Sequence, residues 1–331
     1  MTPISPNGSE GVLAATMGGP AWRPRQRSHA EELGDLWGAC GCCSEVGRLR
    51  AVLLAWPGEE LAQADPPDRY LMLEHVAVPV IQRQFKGIAH AYAESGVEVR
   101  VYRPTRRPPP NLIFLRDLFF MTPEGAIIGR MASEQRAGEE RFATEALAEV
   151  GIPVLATVHG HCCFEGADAI WLEPGCVLLA VGRRTNRAGA ELVAGVLRDL
   201  GVTTRLTELP EYTQHLVGVV TCLDTKFAAI HGDRATSPLR AILREHGFRL
   251  LELPADEELT RRRGMNFVAV GPSAVLMPSG CPGIRRRLEM EGISARCVDV
   301  GEYLKAAGGL ACLTGILSRD PVAPPGGMQG R

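Results

Sequence analysis

The chain has 331 residues, of which 45% are hydrophobic, and its formal net charge is −2. A chain of this length forms one large domain or two ordinary ones, and its apolar content is enough to bury a substantial core. Because the net charge is close to zero and no run of about 18 apolar residues occurs, neither nucleic acid nor a membrane is expected as a partner.

The two ends of the chain differ in composition from the middle. Residues 1–36 are rich in Gly, Pro, Ser and Arg without periodicity, which predicts a disordered N-terminal extension, and 321–331 ("PVAPPGGMQGR") predict a flexible tail. Residues 37–320 are expected to form a single domain. The start lacks the basic and apolar regions of a secretory signal, so we expect a cytoplasmic protein whose ten cysteines are reduced thiols.

Between the ends, one phrase recurs: an apolar strand, a short turn with Gly, Pro, Asp or Lys, and a second apolar strand. Its four copies are "LRDLFFMTPEGAIIG" (115–129), "ADAIWLEPGCVLLAVG" (167–182), "VVTCLDTKFAAIHG" (219–232) and "MNFVAVGPSAVLMPSG" (265–280). A segment with helical periodicity follows each hairpin; in 187–201 the apolar residues fall on one helical face and Gly201 is a natural C-terminal stop.

Repeats at nearly equal spacing predict units that cannot bury their faces alone and that close into a ring. "RLRAVLLA" (48–55) supplies part of a fifth unit, which the later segment "GGLACLTGIL" (308–317) completes. The predicted fold is therefore an α/β protein, a five-bladed pseudo-symmetric propeller.

Polar residues occupy equivalent places in these units, at or just before the first strand of each hairpin. They are Asp117; Glu165 and Asp168 in "FEGAD"; His215 in "HLVG"; Asn266 in "GMNFV"; and Cys312 in the fifth unit. Equivalent positions of a ring converge on its axis, so we expect these side chains to share one central cavity. Taken singly, each has a simpler interpretation: a buried apolar cysteine, a solvated acidic turn, a structural histidine.

Carboxylates, an imidazole and a thiol together suit a guanidinium substrate. Carboxylates hold the planar, forked cation by paired hydrogen bonds, which leaves its central carbon open to a thiolate. A histidine can protonate the departing amine and then activate water. Zinc binding is the competing hypothesis, with two candidate clusters: Cys40, Cys42 and Cys43, or His159, His161, Cys162 and Cys163. Adjacent cysteines without a CxxC pair make poor ligand sets, so no metal is expected at either cluster.

These phrases together resemble the guanidino-group-modifying enzyme superfamily with the pentein fold. Its members include arginine deiminases, dimethylarginine dimethylaminohydrolases (dimethylargininases) and amidinotransferases. "SEVGRLRAVLLAWPG" resembles the family's opening strand, "FLRD" its guanidinium-binding acid, "FEGAD" its "EGGD" motif, "HLVG" its histidine motif and "GGLACLTGIL" its nucleophile segment. "GRRTNRAGAELVA" and "IIGRM" are similar to segments that carry substrate-binding arginines.

The resemblance implies a hydrolase that cleaves a C–N bond of arginine or an Nω-methylarginine, yields a ureido product such as citrulline, and needs no cofactor. Cys312, His215 and Glu165 would be catalytic. The substrate-binding residues would be Asp117, Asp168, Arg130 and Arg184. Val217 stands where arginine deiminases carry an Asp, a departure that dimethylargininases share. The open alternatives are an amidinotransferase and a non-catalytic pentein-fold binding protein, and a homodimer is possible.

Overall fold

The computed structural model of the chain describes Gly18 and residues 22–322. The strands are β1 Leu49–Ala55, β2 Glu98–Tyr102, β3 Phe119–Met121, β4 Ala126–Ile128, β5 Val154–Thr157, β6 Ala169–Glu173, β7 Cys176–Val181, β8 Thr203–Glu208, β9 Val220–Asp224, β10 Phe227–His231, β11 Arg249–Leu253, β12 Val268–Gly271, β13 Ala274–Pro278, β14 Ser294–Val298 and β15 Gly315–Arg319. The helices are α1 His29–Glu32, α2 Val78–Glu94, α3 Glu139–Glu149, α4 Arg187–Asp199, α5 Ser237–Glu245, α6 Glu257–Thr260, α7 Pro282–Met290, α8 Gly301–Lys305 and α9 Leu310–Leu313.

The strands form five three-stranded sheets with one common pattern: β15–β1–β2, β3–β4–β5, β6–β7–β8, β9–β10–β11 and β12–β13–β14. In each sheet the middle strand pairs antiparallel with one neighbour and parallel with the other. A parallel pair needs a crossover connection, and a helix supplies it in every sheet. The four predicted hairpins are β3–β4, β6–β7, β9–β10 and β12–β13.

Helix α4 shows how the sequence sets these crossovers. Asn186 caps its first turn by accepting a hydrogen bond from the Gly189 N–H at 2.8 Å, and Gly201 leaves the helix end with a φ of 74°. Of the predicted apolar face, Val193 and Leu197 are fully buried. The sequence pattern thus identified the C-terminal stop of this helix and the side that packs on its sheet, whereas the Asn186 cap is seen only in the structure.

The five sheets contact one another in a cyclic order. Strand β15 contacts β3, β3 contacts the turn that precedes β6, β6 contacts the turn that precedes β9, β9 contacts β12, and β12 contacts β1. The cycle closes within the first sheet, where β1 from early in the chain pairs antiparallel with β15. Five such sheets are compatible with the predicted propeller.

Buried apolar side chains form two clusters that meet at shared sheets. Alternate residues of β6 and β7 belong to different clusters: Trp171 and Leu179 to one, Ile170 and Leu178 to the other. Side chains of a strand point alternately to its two faces, so each cluster covers one face of this sheet. In this sheet the two clusters therefore pack on the two faces of common strands.

The predicted disordered extension is described only in part. Residues 1–17 and 19–21, and most of the predicted tail at 323–331, lie outside the described residues. Within 22–36, α1 forms with Ser28 as its N-cap and a reciprocal contact from Glu31. The domain boundaries at 36 and 320 stay predictions.

No helix of the described residues is both long enough and apolar enough to cross a membrane.

Candidate active site at the turns that begin the sheets

In four of the five repeat units, a predicted site residue lies in or caps a short helical turn that immediately precedes the first strand of a sheet. Asp117 ends the 3-10 turn Leu115–Asp117 before β3, and Asp168 ends the turn Gly166–Asp168 before β6. His215 caps the turn Leu216–Gly218 before β9, and Cys312 lies in α9 before β15. These turns contact one another. The structural equivalence expected from the repeats therefore brings the side chains together.

The carboxylates surround a buried arginine, Arg136, that the sequence analysis did not identify. Its Nη1 donates to Asp117 Oδ2 at 2.5 Å and lies 3.7 Å from Glu165 Oε2. Its Nε and Nη2 donate to Glu139 at 2.8–3.2 Å. Arg136, Glu139 and Glu165 are each at most 3% exposed. The cluster thus already holds one guanidinium of the chain itself by forked hydrogen bonds.

One carboxylate oxygen of this cluster is left over. Asp117 Oδ1 is buried and has no hydrogen-bond partner among the described residues, and His215 Nδ1 lies 3.8 Å from it. A buried carboxylate oxygen without a donor is costly, so such an atom points to a ligand that supplies the donor.

His215 is anchored by Glu165. Its Nε2 lies 2.6 Å from Glu165 Oε2, and the imidazole is 5% exposed. Burial lowers the pKa of His215, but the charge of Asp117 and the contacts with Glu165 outweigh it and raise the pKa to about 8. Burial in turn raises the pKa of Glu165, but His215, Arg136 and Arg184 outweigh it and lower the pKa to about 2. The pair is therefore a carboxylate and an imidazolium near neutral pH.

Asp168 differs from the other carboxylates in its hydrogen-bond partners. Its Oδ2 accepts from Thr185 Oγ1 at 2.7 Å and its Oδ1 accepts from the Leu216 N–H at 2.9 Å. Both oxygens therefore bind the protein, and the second fixes the turn that carries His215. Burial raises the pKa of Asp168 to about 6. Its geometry makes it a positioning group for His215.

The Cys312 thiol contacts Asn266, the polar residue of the remaining unit. Asn266 Nδ2 lies 3.1 Å from Cys312 Sγ, and its Oδ1 accepts from the N–H groups of Ala311 and Cys312 at 2.7 and 3.3 Å. A Cβ on Gly309 would lie 2.7 Å from Asn266 Oδ1. The absence of a side chain at Gly309 therefore makes room for this amide.

Two influences keep the thiol of Cys312 protonated in the free protein. Burial raises the pKa of Cys312 and the negative charge of Asp117 raises it further, against the lowering effects of Arg263 and Asn266. A cation that binds between Asp117 and the thiol would cancel the repulsion by Asp117. Formation of the thiolate is thereby linked to binding of a cation.

The two predicted substrate-binding arginines have different positions. Arg184 Nη1 lies 3.4 Å from Glu165 Oε1, and Arg184 lines a narrow cavity of about 20 Å³ together with Asp117, Arg136 and Cys312. Arg130 is exposed, and its Nη1 contacts Cys162 O at 3.4 Å and Cys163 Sγ at 3.5 Å. The structure brings the other six predicted site residues together and leaves Arg130 apart from the carboxylates.

The cysteine clusters that suggested zinc do not converge. All ten cysteines are free thiols, and within the described residues the one group with metal-ligand proximity is Asp117, Glu165 and His215. Arg136 already contacts both of these carboxylates, so a cationic group of the chain occupies the place beside them.

Comparison with known proteins identifies arginine deiminases and dimethylarginine dimethylaminohydrolases among the relatives of this chain. A family model described as arginine deiminase matches residues 90–238. The chain is 24% identical over 231 residues to the N(G),N(G)-dimethylarginine dimethylaminohydrolase of Pseudomonas aeruginosa, covering 70% of this chain and 86% of that protein. It is 28% identical over 251 residues to an arginine deiminase of Rhodococcus erythropolis, covering 65% of this chain and 62% of that enzyme.

Solved structures show the same fold. The P. aeruginosa enzyme, as a cysteine-to-serine mutant complexed with citrulline, matches with a TM-score of 0.68 at 20% identity, over 82% of this chain and 100% of that one. SxtG, an amidinotransferase from Microseira wollei, matches with a TM-score of 0.68 at 15% identity, over 88% and 99%. The five sheets, the motifs and these relatives agree, and the chain belongs to the guanidino-group-modifying enzyme superfamily with the pentein fold.

Proposed function

We propose that the protein hydrolyses a C–N bond of a guanidine, most simply arginine or an Nω-methylarginine, to a ureido product and an amine. The single observation that carries this proposal is the buried, unpartnered Asp117 Oδ1, which lines the same cavity as the Cys312 thiol. The proposal takes the five sheets as blades of a propeller with this cavity at the axis, because the sheets contact one another in cyclic order.

A substrate guanidinium fits the free oxygen of Asp117. Arg136 occupies Asp117 Oδ2 and Glu139, so Oδ1 is the acceptor that remains for a second guanidinium. An N–H of the substrate donated to Oδ1 satisfies this oxygen and places positive charge near the thiol. The cavity is narrow, so side chains that line it, such as Leu71, must move apart to admit the substrate.

The first chemical step forms a covalent intermediate. As the cation binds, the thiol of Cys312 releases its proton to solvent, and the thiolate attacks the guanidinium carbon. The C–N bond to the departing amine breaks as His215 gives that nitrogen a proton. Because Nε2 of His215 is held by Glu165, Nδ1 is the nitrogen that faces the substrate side. The product of this step is an amidino-thioether on Cys312.

The second step releases the product. His215, now neutral, takes a proton from water, and the resulting hydroxide attacks the amidino carbon. The C–S bond breaks, the thiolate of Cys312 is regenerated, and the oxygen of water remains in the ureido group. Glu165 stabilises the imidazolium that forms again, since its own pKa lies far below that of His215. No step requires a metal or an organic cofactor.

A product assay across a small substrate panel tests the proposal. We expect ureido product from one of arginine, Nω-methylarginines, agmatine or guanidino acids, with Arg184 providing the cation for a substrate carboxylate. Cys312→Ser should lose most turnover and keep the fold, and mass spectrometry of quenched turnover should find the adduct on the Cys312 peptide. Cys162→Ser is the matched control and should retain activity.

The same assay distinguishes the alternatives. Transfer of the amidino group to added glycine, with little ureido product, would identify an amidinotransferase. Wild-type activity in Cys312→Ser, or an adduct on Cys162 or Cys163, would contradict the mechanism. Guanidine binding without turnover of any panel member would favour a binding protein on this fold.

A further inference from the structure

A second, larger cavity adjoins the catalytic cluster. Its volume is about 240 Å³, and its lining includes His215 and Asn266, the two residues that contact Glu165 and Cys312. The opposite walls come from the end of β10 and the segment after it, and from the region of α6. The hydrolytic mechanism above uses none of the residues on those walls.

The cavity contains two arginines without partners. Arg234 and Arg263 both line it, and neither side chain makes an ion pair or hydrogen bond to any described residue. No carboxylate stands among the lining residues that the structure describes. The positive charge of Arg263 also acts on the thiol of Cys312, because it lowers the pKa of that thiol. Arg234 is exposed and Arg263 is half-buried, and no described carboxylate of the lining pairs with either side chain.

Two buried polar atoms of residues that line the cavity also lack partners. His231 Nδ1 and Thr213 Oγ1 are buried without a hydrogen-bond partner in the described part of the chain, and the two residues are 5% and 4% exposed. Both residues line the cavity. Buried polar groups are normally satisfied, so two that are not, beside two unpaired cations, indicate a group that belongs there.

We propose that this cavity binds an oxyanion, a carboxylate or a phosphate group. Forked guanidinium groups are the preferred partners of both anions, and an imidazole N–H and a hydroxyl supply the additional donors. The cationic wall would exclude a second guanidinium, so the cavity and the carboxylate cluster select groups of opposite charge.

The oxyanion has two possible sources. It is either a free anion or the anionic arm of a molecule that reacts at Cys312, because His215 and Asn266 border both the cavity and the catalytic cluster. The second source rests on the proposed function; the presence of an anion site does not.

Calorimetric titration of the full chain with inorganic phosphate, and separately with acetate, tests the site without any turnover. We expect saturable binding of phosphate, which Arg234→Gln and Arg263→Gln each weaken by about tenfold or more, because each removes a charge-assisted hydrogen bond. Thr213→Val keeps the charge and the shape and should weaken binding by a smaller factor. Arg286→Gln, an exposed arginine of α7, loses the same charge elsewhere and should leave binding unchanged.

Absence of saturable binding in the wild type, or unchanged affinity in the folded Arg234→Gln and Arg263→Gln variants, would overturn the proposal. The two sources separate in the Cys312→Ser protein. If the anion is an arm of the substrate, phosphate competes with a carboxylate-bearing guanidine and not with agmatine. If it is a free anion, phosphate binds equally in the presence of either guanidine. Both results support the site, and neither depends on catalysis.

Discussion

Replacing Asn266 by Ala should slow every reaction of the Cys312 thiolate. The amide holds three groups of the nucleophile turn: its Nδ2 contacts Sγ at 3.1 Å, and its Oδ1 accepts from the N–H groups of Ala311 and Cys312. The Nδ2 contact is stronger when sulfur carries a charge, so it favours the thiolate over the thiol. Removing it therefore makes the thiolate rarer at a fixed pH.

The size of the effect follows from the hydrogen bonds that are lost. A hydrogen bond to a charged group contributes about 1.5–3 kcal/mol, which corresponds to roughly 10- to 100-fold in the amount of thiolate. The Cys312 N–H loses its acceptor as well, at about 1–3 kcal/mol if it stays buried, and the Ala311 N–H keeps only the contact with the backbone oxygen of Asn266 at 3.4 Å, so the free energy of unfolding should also fall. The rate of alkylation of Cys312 by iodoacetamide near neutral pH, read by mass spectrometry, measures the first effect, and urea denaturation measures the second.

Two control variants separate these effects. Asn266→Asp keeps an oxygen for the backbone N–H groups but places a negative charge beside sulfur, so it should preserve more stability and slow alkylation at least as much. Thr236→Ala removes the N-cap of α5, at a cost of about 1 kcal/mol, and should not change the thiol. Alkylation of Asn266→Asp at the wild-type rate would refute the assignment of Asn266 as the group that stabilises the thiolate.

Three further perturbations test the cluster around it. Arg136→Met should lower the free energy of unfolding by about 3–5 kcal/mol, because it leaves Asp117 and Glu139 buried without their cation; a urea midpoint equal to wild type would show that these pairs contribute nothing. The pKa of His215 is raised to about 8 from an ordinary value of 6.5, so its stabilising contribution is complete below pH 6.5 and is lost as pH rises through about 8; thermal melts of wild type and His215→Gln should converge across this range, and parallel curves would contradict it. Arg184→Ala should raise KM for a carboxylate-bearing guanidine but hardly for agmatine, with Arg130→Ala as the comparison expected to have the smaller effect; equal losses on both substrates would show that Arg184 acts in another way.

The sequence predicted the repeated part of the fold because repetition is a local pattern. Each hairpin carries two short apolar runs around a turn, and α4 carries both caps, so strands and helix are identifiable without knowledge of their neighbours. The placement of Asp117, Glu165, His215 and Cys312 followed from their equivalent positions in the units. The sequence did not predict that His215 Nε2 lies 2.6 Å from Glu165 Oε2. Equivalent positions in the repeats indicate which residues are neighbours, but not which of their atoms form hydrogen bonds.

Arg136 could not be found in this way. It lies in the 3-10 turn Glu134–Arg136, outside the recurring phrase, and its importance comes from contacts with Asp117 and Glu165 that exist only in the folded chain. Arg130 shows the reverse: it lies two residues after β4, within a matching motif, yet its side chain is exposed beside Cys162 and Cys163 and apart from the carboxylates. Its role in substrate binding stays a prediction, because a motif position does not fix where a long side chain points.

The pairing of β1 with β15 imposes an order of events during synthesis on the ribosome. Buried Arg319 donates to the carbonyl oxygen of Gly47, 272 residues earlier, and to that of Ala269. A nascent chain therefore carries β1 with one edge unpaired until nearly all the other strands have left the exit tunnel, and such edges favour aggregation. Since Cys312 lies three residues before β15, the proposed nucleophile and the last strand emerge together. Incomplete chains should then be dependent on chaperones, and the step that completes the sheet is also the step that completes the proposed catalytic set.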